Sequence, residues 1–289
     1  MTKRLTLHLQ QNTTLPRIRT ILDFYDRQIE ALGKENTSLD DLDLDNLAME
    51  CGLSLSVLQK NVFPFLRNLK ILESGYKFKL TDIGIQLINI ENTNPELLGD
   101  FLHILLYRQY IIDPQQRYSW AYRKVIQRLW QRQEVALSTE AKKYLIGEIL
   151  EAASQEFSLS VQNIAFSESS ISGILNWLRY LNPSVISVEQ KTEKFQYRHF
   201  CSAPVTIAAI DYLYQALNRP YGTKIFIREE VKNQLSQMLI IDPKSLDNTL
   251  ENAKRTYDYD RGGIFDFGYE GGYGQWLTLL QHSEWEDLL

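Results

Sequence analysis

Lys124, Arg128 and Arg132 follow one another at steps of four residues, with Trp120 one step earlier. On a helix over residues 119–133 these four share a face, while Tyr122, Val125, Ile126 and Leu129 take the other. Cations aligned in this way can follow the phosphates of a nucleic acid, and Tyr118 and Trp120 can stack on a base or on an arginine. Arg117 and Arg123 belong to the same stretch. Residues 108–133 hold six bases against one acid, Asp113, a local charge of +5. The whole chain stands at −5, so a polyanion must be met by such a patch and not by the overall field. The same stripe also suits a solvated face that pairs with acids of a neighbouring segment, those of residues 40–45 among them.

A second set of polar side chains lies earlier. A helix that starts at Ser54 or Ser56 and turns Val57, Leu58, Val62, Phe65, Leu66 and Leu69 inward leaves Ser56, Gln59, Lys60, Arg67 and Asn68 outward. The alternating segment at residues 76–80 adds Lys77 and Lys79. Hydroxyl, amide and cationic groups of these types suit groove and phosphate contacts. Against this, residues 1–99 hold 11 basic and 13 acidic residues, a balance that also suits a protein-docking module.

Catalytic and metal chemistry find no such foothold. The four histidines (His8, His103, His199 and His282) are dispersed, and none has a second His or Cys at the spacing that puts two ligands on one helix face. Gly-rich phosphate loops, the dinucleotide fingerprint and the Gly-x-Ser-x-Gly elbow are all missing from the sequence. Asp41, Asp43 and Asp45 have the one, three, five spacing of a calcium loop, but Asn46 stands where the turn glycine is needed and Gly52 where the bidentate Glu is needed. Leu42 and Leu44 then read as a short strand, with Asp45 capping a helix over residues 46–51. Neither a metal nor another cofactor is expected, and the enzyme reading stands behind two binding readings. Cys51 and Cys201 read as reduced, buried thiols. The amino end offers no apolar signal core and no run of 18 apolar residues occurs, which points to a cytoplasmic protein without a membrane segment.

The elements that must position these residues are mainly helical. A stripe of Ile18, Ile21, Leu22, Tyr25, Ile29 and Leu32 marks a helix over residues 17–33 that ends at a glycine. The helix from Ser54 should bend at Pro64, which lacks a backbone donor and crowds the carbonyl of Lys60. Residues 71–72 and 76–80 read as a hairpin, and Thr81 as the cap of a helix over residues 82–89. The run LDLDNLAMECGLSLSVLQKNVFPFLRNLKIL followed by YKFKLTDIG resembles the winged helix-turn-helix superfamily over residues 17–90. That resemblance implies a recognition helix and a wing, in a class whose members bind DNA, RNA or proteins.

Two weaker echoes follow. Helices over residues 141–157 and 167–181 precede two strands joined by a charged turn at residues 191–193. Helices over residues 204–217, 228–239 and 242–257 precede a Gly-aromatic hairpin in which Phe265 and Phe267 pack inward. The expected architecture is therefore mainly α: winged-helix-like units with small β-hairpin wings, joined by a helical connector. Its boundaries are an N-terminal winged unit at 1–92, a connector at 93–135, a second winged-helix-like unit at 136–202 and a C-terminal helical unit at 203–289. Function follows as nucleic-acid binding without catalysis, to duplex DNA first, in a regulator or a subunit of a DNA-processing or defence complex. The alternatives are an interaction scaffold and an unrecognised enzyme. A tail carrying Trp285, Leu288 and Leu289 reads as a segment for docking protein partners.

Overall fold

The computed structural model describes residues 4–9, 12–33, 39, 41–75, 78–189 and 192–288. After a two-residue strand β1 (Leu5–Thr6), helix α1 (Leu15–Leu32) begins with Pro16 in its first turn, where no donor is lost, and buries Ile18, Ile21, Leu22 and Tyr25. Helix α2 (Asp41–Glu50) replaces the short strand expected around Leu42. Leu44, Leu47, Ala48 and Cys51 are buried, and their spacing of three and four outweighs the local Leu-Asp alternation. The acidic run is thus wound into a helix and does not form a loop.

Helix α3 (Leu55–Val57) is capped by Ser54, whose hydroxyl accepts the Val57 N–H at 3.4 Å. It continues through a π-helical turn (Leu58–Val62) into α4 (Phe63–Asn68). The Phe63 N–H bonds the Leu58 carbonyl, so the register widens just before Pro64, the residue that cannot donate. Of the expected wing, the described residues show one antiparallel bridge between Leu72 and Leu80, with the Glu73 N–H donating to the Lys79 carbonyl at 2.8 Å. Thr81 caps α5 (Asp82–Thr93) by accepting the Gly84 N–H at 3.2 Å.

Helix α6 (Leu98–Ile112) is buried on all sides over most of its length. His103 lies within it and shares a 2.8 Å hydrogen bond with the Tyr122 hydroxyl. There follow α7 (Arg117–Arg132), β2 (Glu134–Ala136), α8 (Thr139–Phe157), β3 (Ile164–Ala165) and α9 (Glu168–Leu178). Strands β4 (Ile186–Glu189) and β5 (Thr192–Gln196) come next, then α10 (Ala203–Ala216), β6 (Ile225–Phe226), α11 (Glu229–Leu239) and α12 (Leu246–Tyr257). The last hairpin is β7 (Phe265–Glu270) and β8 (Gly274–Leu279).

These elements form two compact units that cross the three boundaries expected from the sequence. Unit 1 comprises residues 1–122 and 146–180, and unit 2 residues 123–145 and 181–289. The stretch expected to act as a connector is divided, because α6 packs on α5 and α9 as part of the core of unit 1. Gly99 permits that approach: a Cβ there would lie 2.1 Å from the Tyr180 carbonyl oxygen. The residues expected as one winged unit at 136–202 also divide, with α9 in unit 1 and the β4–β5 hairpin in unit 2. In unit 1, β1 pairs in parallel with β3.

Unit 2 holds two three-stranded antiparallel sheets, ordered β2-β5-β4 and β6-β8-β7. In the second, Phe265 and Phe267 turn into the core with Leu277 and Leu279, while α12 contributes Leu246, Leu250 and Ala253. The tail corrects another expectation. Trp285 is 5% exposed and Leu288 3%, and the Tyr257 hydroxyl donates to the Leu288 carbonyl, so these apolar side chains are already covered within the chain. Leu289 lies outside the described residues. Cys51 and Cys201 are buried and form no disulfide. Among the described residues no helix is long and apolar enough to cross a membrane.

Candidate nucleic-acid interface

The outer face of α3 and the π turn presents Ser56, Gln59 and Lys60, all exposed. Leu58 and Val62 anchor the same turn in the core, which fixes the direction in which the polar residues point. Beside them opens a groove of about 110 Å³ lined by His8, Lys60, Asn61, Pro64, Asn68 and Tyr118. None of these is an acid. No Asp or Glu occurs anywhere from Cys51 to Leu72, whereas Lys60, Arg67 and Lys70 do. The face therefore carries amide donors and acceptors beside positive charge, the combination that meets phosphates and base edges.

The groove joins distant parts of unit 1. His8 follows β1, and its Nδ1 bonds the hydroxyl of Ser170 on α9. Tyr118 sits at the start of α7 with its ring 5.6 Å from that of Phe65. Burial pushes the Tyr118 phenol above its ordinary range, with the Asn68 side chain opposing and Asp113 assisting, so it stays a neutral hydroxyl. His8 and Asn61 were not among the residues singled out from the sequence. His8 could not have been, because the β1–β3 pairing that brings it there spans some 160 residues with no local signal.

Several expected contacts are placed differently. Arg67 is half-buried with its guanidinium 5.1 Å from the Phe78 ring, and Lys79 forms a 3.6 Å ion pair with Glu73. Lys77 lies outside the described residues. Arg117 stacks over Phe157 at 4.5 Å. Trp120 is 2% exposed and packs on Phe157 with ring centroids 5.0 Å apart, so it is not presented for stacking on a base. The reason is helical geometry: four residues overshoot one turn by about 40°, so a stripe read at steps of four rotates around the helix, and its first member reaches the core.

Lys124, Arg128 and Arg132 remain half-exposed beyond it, backed by the buried Val125, Ile126 and Leu129. Arg128 bonds Gln131 at 3.1 Å and Arg132 lies 5.2 Å over the Tyr144 ring. Arg123 and Lys124 are half-exposed and also have partners within the chain. The structure brings Ser56, Gln59 and Lys60 together with the groove in unit 1, and the basic stripe of α7 belongs, from Arg123 onward, to unit 2. No family model, curated protein or solved structure matches this chain.

Proposed function

We propose that this chain is a nucleic-acid-binding protein of winged-helix-like units, acting as a regulator or as a subunit of a DNA-processing or defence complex. The observation that carries the reading is the face of unit 1 where Ser56, Gln59 and Lys60 stand exposed beside the His8, Asn61, Asn68 and Tyr118 groove, whose lining holds no acid. In this reading Lys60 meets a phosphate, and Ser56 and Gln59 reach base edges of duplex DNA. The half-exposed bases of α7 add phosphate contacts without reading sequence. The order in unit 2 of α10, β6, α11, α12 and the β7–β8 hairpin supports a winged unit there, with β6 ahead of the second helix and the hairpin as wing.

A second reading has its own support. The β7–β8 hairpin carries Asp266 and Glu270 but no base, and Lys254 and Lys224 are spent on ion pairs with them at 2.7 Å each. Tyr269 and Tyr273 project from the same hairpin. This wing suits a protein surface better than a phosphate backbone, so a protein-docking role for unit 2 fits beside, or in place of, nucleic-acid contact. Fluorescence anisotropy of the whole chain with labelled duplex and single-stranded oligonucleotides, over a series of salt concentrations, separates the readings. Phosphate contact gives affinity that falls steeply with salt, and no binding at low salt leaves the protein-docking reading.

A further inference from the structure

Unit 2 contains a cleft of about 590 Å³, within the range of about 300–1,000 Å³ that small-molecule sites occupy. Its aromatic wall is fixed by backbone bonds. The Trp130 indole N–H donates to the Ile241 carbonyl at 3.0 Å, and the Tyr197 hydroxyl donates to the Trp130 carbonyl at 2.9 Å. The two rings stand 6.0 Å apart. The rings are tilted to one another by 53° and Trp130 is buried, so the half-exposed Tyr197 ring is the one held in place to meet a planar group.

Around that wall stand Gln131, Gln133 and Gln196, each able to donate and accept. The charges at the rim are unequal in their availability. Glu134 is paired with Lys194. Asp242 accepts the backbone N–H of Lys244 at 3.0 Å and faces His199 at 3.9 Å. Glu134 shares Lys194 with Glu189 and Asp242 faces only a backbone N–H and an imidazole, whereas the exposed Lys244 ammonium forms no ion pair among the described residues. The cleft therefore offers the half-exposed Tyr197 ring backed by the buried Trp130, several amides and, beside two carboxylates, one ammonium without an ion-pair partner.

We infer that this cleft binds a nucleoside monophosphate unit, with the phosphate on Lys244 and the base held among the glutamines against Tyr197 and Trp130. The unit can be a free nucleotide or the phosphorylated end of a strand, which share this chemistry. The inference does not depend on the face of unit 1.

Calorimetric titration of the full chain tests it. The probes are the four 5′-ribonucleoside monophosphates, adenosine, inorganic phosphate, and one oligonucleotide with and without a 5′-phosphate. At least one monophosphate is expected to bind saturably and more tightly than adenosine or phosphate alone. Lys244→Ala should weaken it about tenfold, the loss of one charge-assisted bond, and Gln196→Ala should weaken it and alter base preference. Binding of the 5′-phosphorylated strand tighter than that of both the unphosphorylated strand and the monophosphate, by a margin that Lys244→Ala removes, assigns the site to strand ends, and the reverse assigns it to free nucleotides. Both changed residues are at least half-exposed, and circular dichroism verifies that the variants are folded. Absence of saturable nucleotide binding, equal binding of phosphate alone, or nucleotide binding unaffected by both substitutions would overturn the inference.

Discussion

The phenolic hydroxyl of Tyr25 on α1 donates a 2.6 Å hydrogen bond to the backbone carbonyl of Phe78, 53 positions later. Tyr25 is fully buried, and burial holds its phenol far above the ordinary range. The bond ties the first helix to the segment that leads into the Leu72–Leu80 bridge. Replacing Tyr25 by Phe keeps the ring and leaves the Phe78 carbonyl without that donor, so unfolding in urea should show a loss of about 1–3 kcal/mol. An unchanged midpoint would mean that water replaces the hydroxyl there.

The tail gives a sharper test of packing. Trp285 and Leu288 are covered by their own unit, with the Tyr257 hydroxyl bonded to the Leu288 carbonyl. Trp285→Ala should cost about 3–5 kcal/mol and lower the thermal midpoint. A substitution that left stability unchanged would restore this tail as a segment free for a partner.

At high pH the fold should weaken for a defined reason. Burial pushes the Cys51 thiol up to about 11 from an ordinary value of 9.0, Arg17 opposing and Glu50 assisting. Burial likewise pushes Tyr257 up to about 12, and burial with the neighbouring Asp211 does the same for Tyr221. All three favour the neutral form when folded. Their contribution is complete below the unfolded values, near pH 9 for the thiol and 10 for the phenols. It is lost as pH rises through about 11 and 12, because the unfolded chain gives up its protons first. Denaturant midpoints between pH 8 and 12 should therefore fall, and Cys51→Ala should remove the earliest part of the decline. The thiol should also react slowly with a disulfide reagent at pH 8 until the protein is unfolded.

Much of the helical frame was legible because its signals are local. Ile18, Ile21, Leu22 and Tyr25 announce α1, and the capping hydroxyls of Ser54 and Thr81 mark two helix starts. What escaped depends on partners far along the chain. Strands β2 and β6, with three and two residues, are too short to show alternation and exist because β5 and β8 offer them an edge. The strand read at Leu42 and Leu44 failed because burial of Leu44, Leu47 and Ala48 favours the helical period. At the candidate site, Ser56, Gln59 and Lys60 could be read from one helix face, whereas His8 arrives through a parallel pairing with no sequence signature.

The stripe on α7 makes a separate prediction. Lys124, Arg128 and Arg132 are half-exposed and backed by buried apolar residues, so changing all three to Gln should leave the fold intact. If they contact phosphates, the dependence of log affinity on log salt should become shallower by about 2 to 3 for duplex DNA, with little change in sequence preference. An unchanged slope in a folded triple variant removes this helix from the binding surface.

The central claim concerns Lys60 and its neighbours, and the salt dependence of duplex binding by wild type and Lys60→Gln tests it most directly. Lys60 is exposed on the π turn, so the variant should fold normally. Loss of one phosphate contact should make the slope shallower by about 0.9 and weaken binding similarly across sequences. Gln59→Ala, measured alongside, should instead relax discrimination at one base pair by about 1–3 kcal/mol. If the folded wild-type chain binds no duplex at low salt, or if Lys60→Gln leaves both affinity and slope unchanged, the face around Lys60 is not a nucleic-acid interface.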